Sequence, residues 1–511
     1  MLRSGPASSL GCVAVRLVPP TRWRISTPRF VAWVMAGVLV LRASYFFGPL
    51  FPDEGGYFAA ARDWHAGGPN VYGSYFVDRP PLLLAAYRLA VVTGWPLTVR
   101  VLATALCLGF VAAAAWAAYE AVGERGARWA ALVAAAVAVT PLLTAQSADG
   151  ELLAVPLVML SMALTLSAVR RTGRAAFARA VGAGMAAGAA VMVKQNCADA
   201  IVLAVAWLLA ALVQRRTTGR TAAAVAGGGV LGGGLVLAGV LVYLARVRVG
   251  LGTAWTAVFG FRSTALDVVA DHSLHAPVLR ATELLVLSVL TGLLPLAAVL
   301  LLHAARCRFR GPPLAWAVAA TLLFDLVSVA LGGSYWPHYL IELGPVLALA
   351  AGLWAPDSTG VRAVVALVTC SALVTVTTMG MTGRGFHHGG HRMGEYLAAS
   401  ARPGDTATVL YGHADVLAVS GLRSPYEQLW TLPMRTLDPH LGMLRRVLTG
   451  PHAPTWVVAW GNLDPWHIDA SDRVRLALAL HYRRVADVCG HDVYLHDGVD
   501  RVLRPTPACS P

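Results

Sequence analysis

Two carboxylates stand side by side, Asp53 and Glu54, directly after Pro52 at the end of the first long apolar stretch. A carboxylate held rigidly and partly out of water has what a general base needs. Other chemically capable groups fall in short polar breaks further along: Asp78 and Arg79 in "VDRPPLLL", Asp149 and Glu151 in "QSADGELLAVPL", and Lys194 in "VMVKQN". Lys194 is the single lysine among 41 lysine and arginine residues, so its place carries information. An ammonium is a compact point charge suited to a phosphate group, whereas a guanidinium needs room for its planar fork. Carboxylates that can take a proton and a cation that can hold a phosphate are the chemistry these residue types offer.

Each of these residues also has an ordinary reading. Asp53 can be a helix N-cap with Glu54 in the first turn, each favourable by under about 1 kcal/mol. Asp78 and Arg79 can form a solvated turn, Asp149 can cap the helix that follows it, and Lys194 can snorkel from the edge of the hydrocarbon. The capping and catalytic readings of Asp53 are compatible, because a cap is rigid and partly desolvated.

The elements that must position these groups are apolar helices. Of 511 residues 57% are hydrophobic and 13% charged, and the mean hydropathy is +0.61, far from a soluble average. Apolar blocks of about 20 residues match a helix that crosses about 30 Å of hydrocarbon. The blocks run Phe30 to Gly48, Leu97 to Tyr119, Ala127 to Ala145, Leu152 to Val169, Phe177 to Val193 and Ala198 to Val213. They continue with Thr221 to Ala245, Ala281 to His303, Leu314 to Leu331, His338 to Trp354 and Val361 to Gly380. The expected fold class is a mainly α membrane protein with about eleven transmembrane helices and a small C-terminal α/β extracytoplasmic domain.

Arginine fixes the expected orientation. Arg3, Arg16, Arg22, Arg24 and Arg29 precede the first block, and Arg125 with Arg128, Arg170 with Arg171 and Arg174, Arg215 with Arg216 and Arg220, and Arg306, Arg308 and Arg310 fall in alternate connections. Those connections read as cytoplasmic. An odd number of spans then divides the chain into a cytoplasmic tail (1–29), a membrane domain (30–383) and an extracytoplasmic domain (384–511). The same parity puts Asp53, Asp78, Arg79, Asp149 and Lys194 on the outer face, with a longer outer loop from Arg246 to Arg280. Glu54 to Trp64 reads as a helix along the interface, and Leu82 to Val92 is too short to span. The formal net charge of +14 is a topology signal and an attraction to anionic lipid, and no nucleic-acid motif accompanies it. Glycines in "AGGGVLGGG" read as close helix packing rather than a phosphate loop.

After Arg392 the chain alternates. "TATVLY", "TWVVAW" and "DVYLH" read as strands, and "HLGMLRRVL" and "ASDRVRLALAL" as amphipathic helices. Trp430, Trp460 and Trp466 are candidates for glycan contact or for the domain's own core. Of seven cysteines only Cys489 and Cys509 are placed to pair outside. The "FHHGGH" turn, with His387, His388 and His391, reads as a solvated linker before a zinc site. Asp325, inside a span, must face protein or water, and a hydrogen bond to a neighbouring helix is its default role.

The order of these features resembles the GT-C glycosyltransferases. It runs from the acidic pair Asp53 and Glu54 through Asp78, Arg79, Pro80 and Pro81, then Asp149 and Lys194, to "SYWPHYLIELGPVLALAAG". Within that superfamily it is most similar to the bacterial branch of protein O-mannosyltransferases and lipid A aminoarabinose transferases. The resemblance implies a multi-pass protein of the bacterial plasma membrane that moves a hexosyl or pentosyl group from a polyprenyl-phosphate sugar donor to a glycan, lipid or protein acceptor at the outer face. It implies a catalytic set of Asp53, Glu54 and Asp149, with Asp53 as general base. The implied substrate-binding set is Tyr57, Asp78, Arg79, Lys194, His338 and Tyr339, although the family commonly has lysine at the Arg79 position. Asp53, Glu54 and Asp149 could share a divalent cation, which this chemistry allows without requiring. The rival class is a transporter or flippase, which calls for paired charges deep in several spans and for broken helices. A scaffold that only anchors the outer domain would need neither the lone lysine nor the acidic pair.

Overall fold

The computed structural model describes residues 26–95, 97–272, 275–306, 311–383, 385–386, 388–461, 463, 468–469 and 472–509. Arg3, Arg16, Arg22, Arg24, Arg308, Arg310, His387 and Trp466, used above, lie outside the described residues. The first helices are α1 (Ser26–Ala43), α2 (Pro52–Arg62), α3 (Pro81–Thr93), α4 (Thr98–Val122), α5 (Glu124–Val139), α6 (Gly150–Val169), α7 (Gly173–Val193) and α8 (Asp199–Val213). They continue with α9 (Gly219–Val247), α10 (Leu251–Trp255), α11 (Phe261–His272), α12 (His275–Leu290), α13 (Leu293–Arg306), α14 (Pro313–Leu331), α15 (Gly344–Trp354) and α16 (Thr359–Thr382). Six of the described helices are long and apolar enough to cross a membrane: α4, α6, α7, α9, α14 and α16.

Every expected apolar block overlaps a helix, but four of the eleven are not one α-helical rod: Phe30 to Gly48 leaves α1 after Ala43, Ala127 to Ala145 leaves α5 after Val139 for a 3₁₀ turn at Pro141–Leu143, and two more break within the block. The block from Ala281 to His303 is not one rod, because α12 and α13 meet at a 73° bend. Gly292 sits in the bend at φ +75°, with Val368 packed where a side chain would begin. The block from His338 to Trp354 starts as a 3₁₀ segment, Pro337–Leu343, before becoming α15. The expected long loop from Arg246 to Arg280 is largely helical, with α10 and α11 joined by a π turn at Thr256–Gly260. The glycine-rich stretch packs as expected: a Cβ on Gly232 would meet the Val181 carbonyl at 2.0 Å, so α9 and α7 approach backbone to backbone.

α2 does not lie along a lipid interface. Residues Glu54 to Ala61 are all buried, because α3 and the C-terminal unit cover them. That unit comprises α17 (Gly389–Ser400), β1 (Ala407–Leu410), α18 (Asp415–Ser420), α19 (Thr431–Leu437), α20 (Gly442–Thr449), β2 (Trp456–Ala459), α21 (Arg473–His481), β3 (Tyr482–Val488) and β4 (His491–His496). Its sheet has the order β1-β2-β4-β3, with β1 parallel to β2 and the other pairs antiparallel. The sequence reading missed β3, whose "YRRVADV" exposes its arginines and carries a register shift between Arg484 and Ala486. Cys489 and Cys509 are joined as a disulfide. Trp460 is stacked on both faces, by His413 and by His491, each 3.8 Å from its ring centre, so no face is left for a sugar ring.

Candidate functional site

α2 begins with Pro52, whose missing N–H is no loss in the first turn. Its N-cap is Phe51 rather than Asp53, and Glu54 closes a capping box by accepting the Phe51 amide at 3.0 Å. Glu54 is fully buried and engaged throughout. Its Oε1 accepts the Ala148 amide at 2.9 Å and Arg100 Nε at 3.2 Å, and its Oε2 accepts Arg100 Nη2 at 2.6 Å. Arg100 also donates to the carbonyls of Tyr45, Gly48 and Pro49 at 2.6–2.7 Å. This pair rivets the end of α1, the start of α2, α4 and the loop before α6 into one block.

Asp53, one residue earlier, faces the other way and accepts Trp430 Nε1 at 2.9 Å. Burial holds its carboxyl above the usual carboxylate range, opposed by the charge of Arg79 and by the Trp430 hydrogen bond. Asp149 is the N-cap of α6 but gives no side-chain bond to the helix. Its Oδ1 accepts Ser147 Oγ at 2.9 Å, and its Oδ2 lies 3.5 Å from His338 Nδ1. Burial first, then the charges of Asp53 and Glu54, push its carboxyl up to about 8.

His338 continues the chain of contacts, with Nε2 3.7 Å from Glu151 Oε1. The same Glu151 oxygen is paired with Lys194, whose Nζ also lies 4.8 Å from the centre of the Tyr339 ring. Lys194 is the residue that ends α7, and it is buried. Burial, then the charge of Arg79, pulls its amine below the usual lysine range. Sequence reading placed Lys194 correctly at a helix end but did not foresee Glu151 as its partner.

Asp78 binds two guanidiniums, Arg79 and Arg262, each at 2.7 Å from Oδ2. Burial works to raise its carboxyl, and Arg262 and Arg79 together carry it below the usual range. Arg262 lies on α11, in the segment read as a loop, and sequence reasoning missed it. The signal available was a single arginine inside "AWTAVFGFRSTALDVV". Tyr57 packs its ring between Tyr87 and Trp430, at 5.4 and 5.3 Å.

A cavity of about 330 Å³ opens beside these groups. Lys194, Arg262 and Tyr339 line its polar part, and Leu266, Phe324 and Leu331 its apolar part. Glu342 reaches the same cavity and belongs to a buried cluster with Asp199 and Asp325, whose ligand oxygens lie within 4.8 Å of one another. Among the described residues these three, not Asp53, Glu54 and Asp149, are spaced to hold a divalent cation. Asp325 faces Asp199, on the neighbouring helix α8, and Glu342. His391 lies 3.3 Å from Glu395, an ordinary exposed pair one helical turn apart.

The course of the chain and the arrangement of its helices are similar to those of two solved proteins. ArnT from Cupriavidus metallidurans in the apo state superposes with a TM-score of 0.64 at 16% identity, over 92% of this chain and 98% of that one. The same protein bound to undecaprenyl phosphate gives 0.62 at 16% identity, over 91% and 98%. The Archaeoglobus fulgidus oligosaccharyltransferase in complex with Zn and sulfate gives 0.56 at 13% identity, over 91% of this chain and 73% of that one. No protein-family model matches the chain. No curated protein matches it in sequence.

Proposed function

We propose that this protein is a membrane glycosyltransferase that moves a hexosyl or pentosyl group from a polyprenyl-phosphate donor to a hydroxyl acceptor at the outer face of the bacterial plasma membrane. The observation that carries this reading is the cavity. Its cationic end at Lys194 and Arg262 and its apolar walls at Leu266, Phe324 and Leu331 match a charged phosphate attached to an isoprenoid chain. ArnT bound to undecaprenyl phosphate, which shares the fold, supports the same donor chemistry. The disulfide supports an outer location for the C-terminal unit, since such bonds persist in oxidising compartments.

In this reading Asp53 is the general base. It accepts the acceptor hydroxyl proton while that oxygen bonds to the anomeric carbon, and the bond from that carbon to the phosphate oxygen breaks with its electron pair leaving on polyprenyl phosphate. One displacement inverts the anomeric centre. Arg79 and Arg262, aligned by Asp78, and Lys194, held by Glu151, stabilise the charge that grows on the departing phosphate. Asp149, whose carboxyl is held toward the protonated form by burial and by the charges of Asp53 and Glu54, is placed to donate a hydrogen bond to a substrate oxygen, with His338 beside it. Glu54, engaged by Arg100 and two backbone amides, acts by fixing α2. Tyr57 and Tyr339 wall the site. No step needs a metal, and a cation at Asp199, Asp325 and Glu342 would brace the cavity wall.

Membranes carrying wild type, Asp53→Asn or Lys194→Ala test the reading with undecaprenyl-phosphate-linked mannose, glucose and arabinose plus cell-envelope extract. Transfer by wild type with release of undecaprenyl phosphate is expected. Asp53→Asn should abolish it, and Lys194→Ala should weaken it mainly at low donor. Wild-type rates in Asp53→Asn would remove the base. A rival reading, transport of a lipid-linked sugar, draws on the bend between α12 and α13 and on the buried acidic cluster. Movement of labelled donor across the bilayer without sugar transfer would favour it.

A further inference from the structure

The two glycines that follow the acidic pair, Gly55 and Gly56, have a use that the sequence does not disclose. A Cβ on Gly56 would sit 2.3 Å from the Trp430 ring, and one on Gly55 would sit 2.2 Å from the Asp415 Cα. The C-terminal unit therefore lies directly on the backbone of the turn that carries Asp53. The seat is anchored on both sides of Trp430. The Phe76 amide donates to the Glu427 carbonyl at 3.1 Å and Asn70 Nδ2 to the Glu427 carboxylate at 3.2 Å. Thr431 Oγ1 donates to the Tyr411 carbonyl at 2.7 Å. Between these anchors the indole packs on Tyr57 and aims its N–H at Asp53 Oδ1.

We infer that Trp430 is a positioning residue for Asp53, so that the C-terminal unit completes the catalytic site instead of only neighbouring it. The inference rests on Asp53 being the base. An indole N–H is a donor with no acceptor capacity, so it can bond only to the oxygen of Asp53. With one carboxylate oxygen held there, the other is left to face the acceptor, and the rotamer is fixed before substrate arrives. Leu432, two residues on, lines the donor cavity. One segment of the C-terminal unit therefore touches both the base and the donor pocket, and displacement of that segment disturbs both together.

The test compares Trp430→Phe with wild type, Asp53→Asn and the double variant Asp53→Asn/Trp430→Phe, using the sugar-linked undecaprenyl phosphate that wild type accepts. Phenylalanine keeps a ring against Tyr57 and removes the donor. kcat should fall about 10- to 100-fold, the range for a lost hydrogen bond to a charged group. KM for the donor should stay within about 3-fold. Loss of the N–H disfavours the carboxylate, so the acid limb of the pH profile should move to higher pH. The double variant should be no worse than Asp53→Asn alone. Wild-type kcat and pH profile in Trp430→Phe, with Asp53→Asn inactive, would overturn the inference and leave the base standing. Activity in Asp53→Asn would overturn both. If Trp430→Phe does not fold, benzothienylalanine at position 430 decides the matter, since it keeps the indole shape without the N–H.

Discussion

Arg100 gives the sharpest measure of how the site is held. Its guanidinium is 1% exposed, binds fully buried Glu54 through two nitrogens and covers the carbonyls of Tyr45, Gly48 and Pro49. Arg100→Leu leaves the Glu54 carboxylate with two backbone amides and no cation. Breaking a buried pair by removing one partner costs about 3–5 kcal/mol. The uncovered carbonyls add about 1 kcal/mol more where water does not reach them. A loss of about 5 kcal/mol is therefore expected, read as the shift in unfolding on titrating purified protein in mild detergent with sodium dodecyl sulfate. Arg100→Leu combined with Glu54→Gln removes the stranded charge while the amide oxygen can still accept from Ala148. That double variant should lose under about 2 kcal/mol more than Glu54→Gln alone. A loss below about 1 kcal/mol in Arg100→Leu, or strict additivity in the double variant, would refute the rivet. Transfer activity should fall with stability in Arg100→Leu, because α2 carries Asp53.

Three further outcomes follow from the same contacts. Arg262→Ala should lower kcat/KM for donor by about 10-fold or more, through kcat as well as KM, because a charge-assisted contact to the departing phosphate is lost; an unchanged kcat/KM in a donor titration would exclude Arg262 from that role. The Asp149 carboxyl, raised to about 8 against an ordinary value of 3.8, contributes stability that is fully present below pH 3.8 and is lost as pH rises through about 8. Asp149→Asn should therefore melt at a higher temperature than wild type above pH 8, and melting curves from pH 5 to 9.5 check the sign. Cys509→Ser opens a loop with a sequence separation of 20 residues and should destabilise the C-terminal unit by about 3 kcal/mol, with loss of the mobility difference between reduced and unreduced gels.

The membrane helices were legible because hydrophobic runs report their own burial in lipid, whatever their partners. The bend at Gly292 was not, since glycine in an apolar run is common and only its φ and the Val368 contact make it a break. Strand β3 escaped for a related reason: Arg483 and Arg484 occupy its exposed positions, so it shows no apolar run. Lys194 was conspicuous as a lone amine, but its partner Glu151, 43 residues earlier, is set by how α6 meets α7. Arg262 and Trp430 were hidden in the same way, since each acts on a residue far away in sequence.

The sequence by itself determined the mainly helical class, the alternating C-terminal unit and the short polar breaks that hold Asp53, Asp78, Arg79, Asp149 and Lys194. These follow from period, length and charge, which are local properties of the chain. Only the tertiary structure separated Asp53 from Glu54, two adjacent carboxylates that look alike on paper. Successive side chains on a helix point about 100° apart, so Glu54 turns into the bundle to meet Arg100 while Asp53 turns to meet Trp430. Which of two neighbours is a strut and which is free to act depends on what each direction meets, and that is decided by residues 46 and 377 positions away.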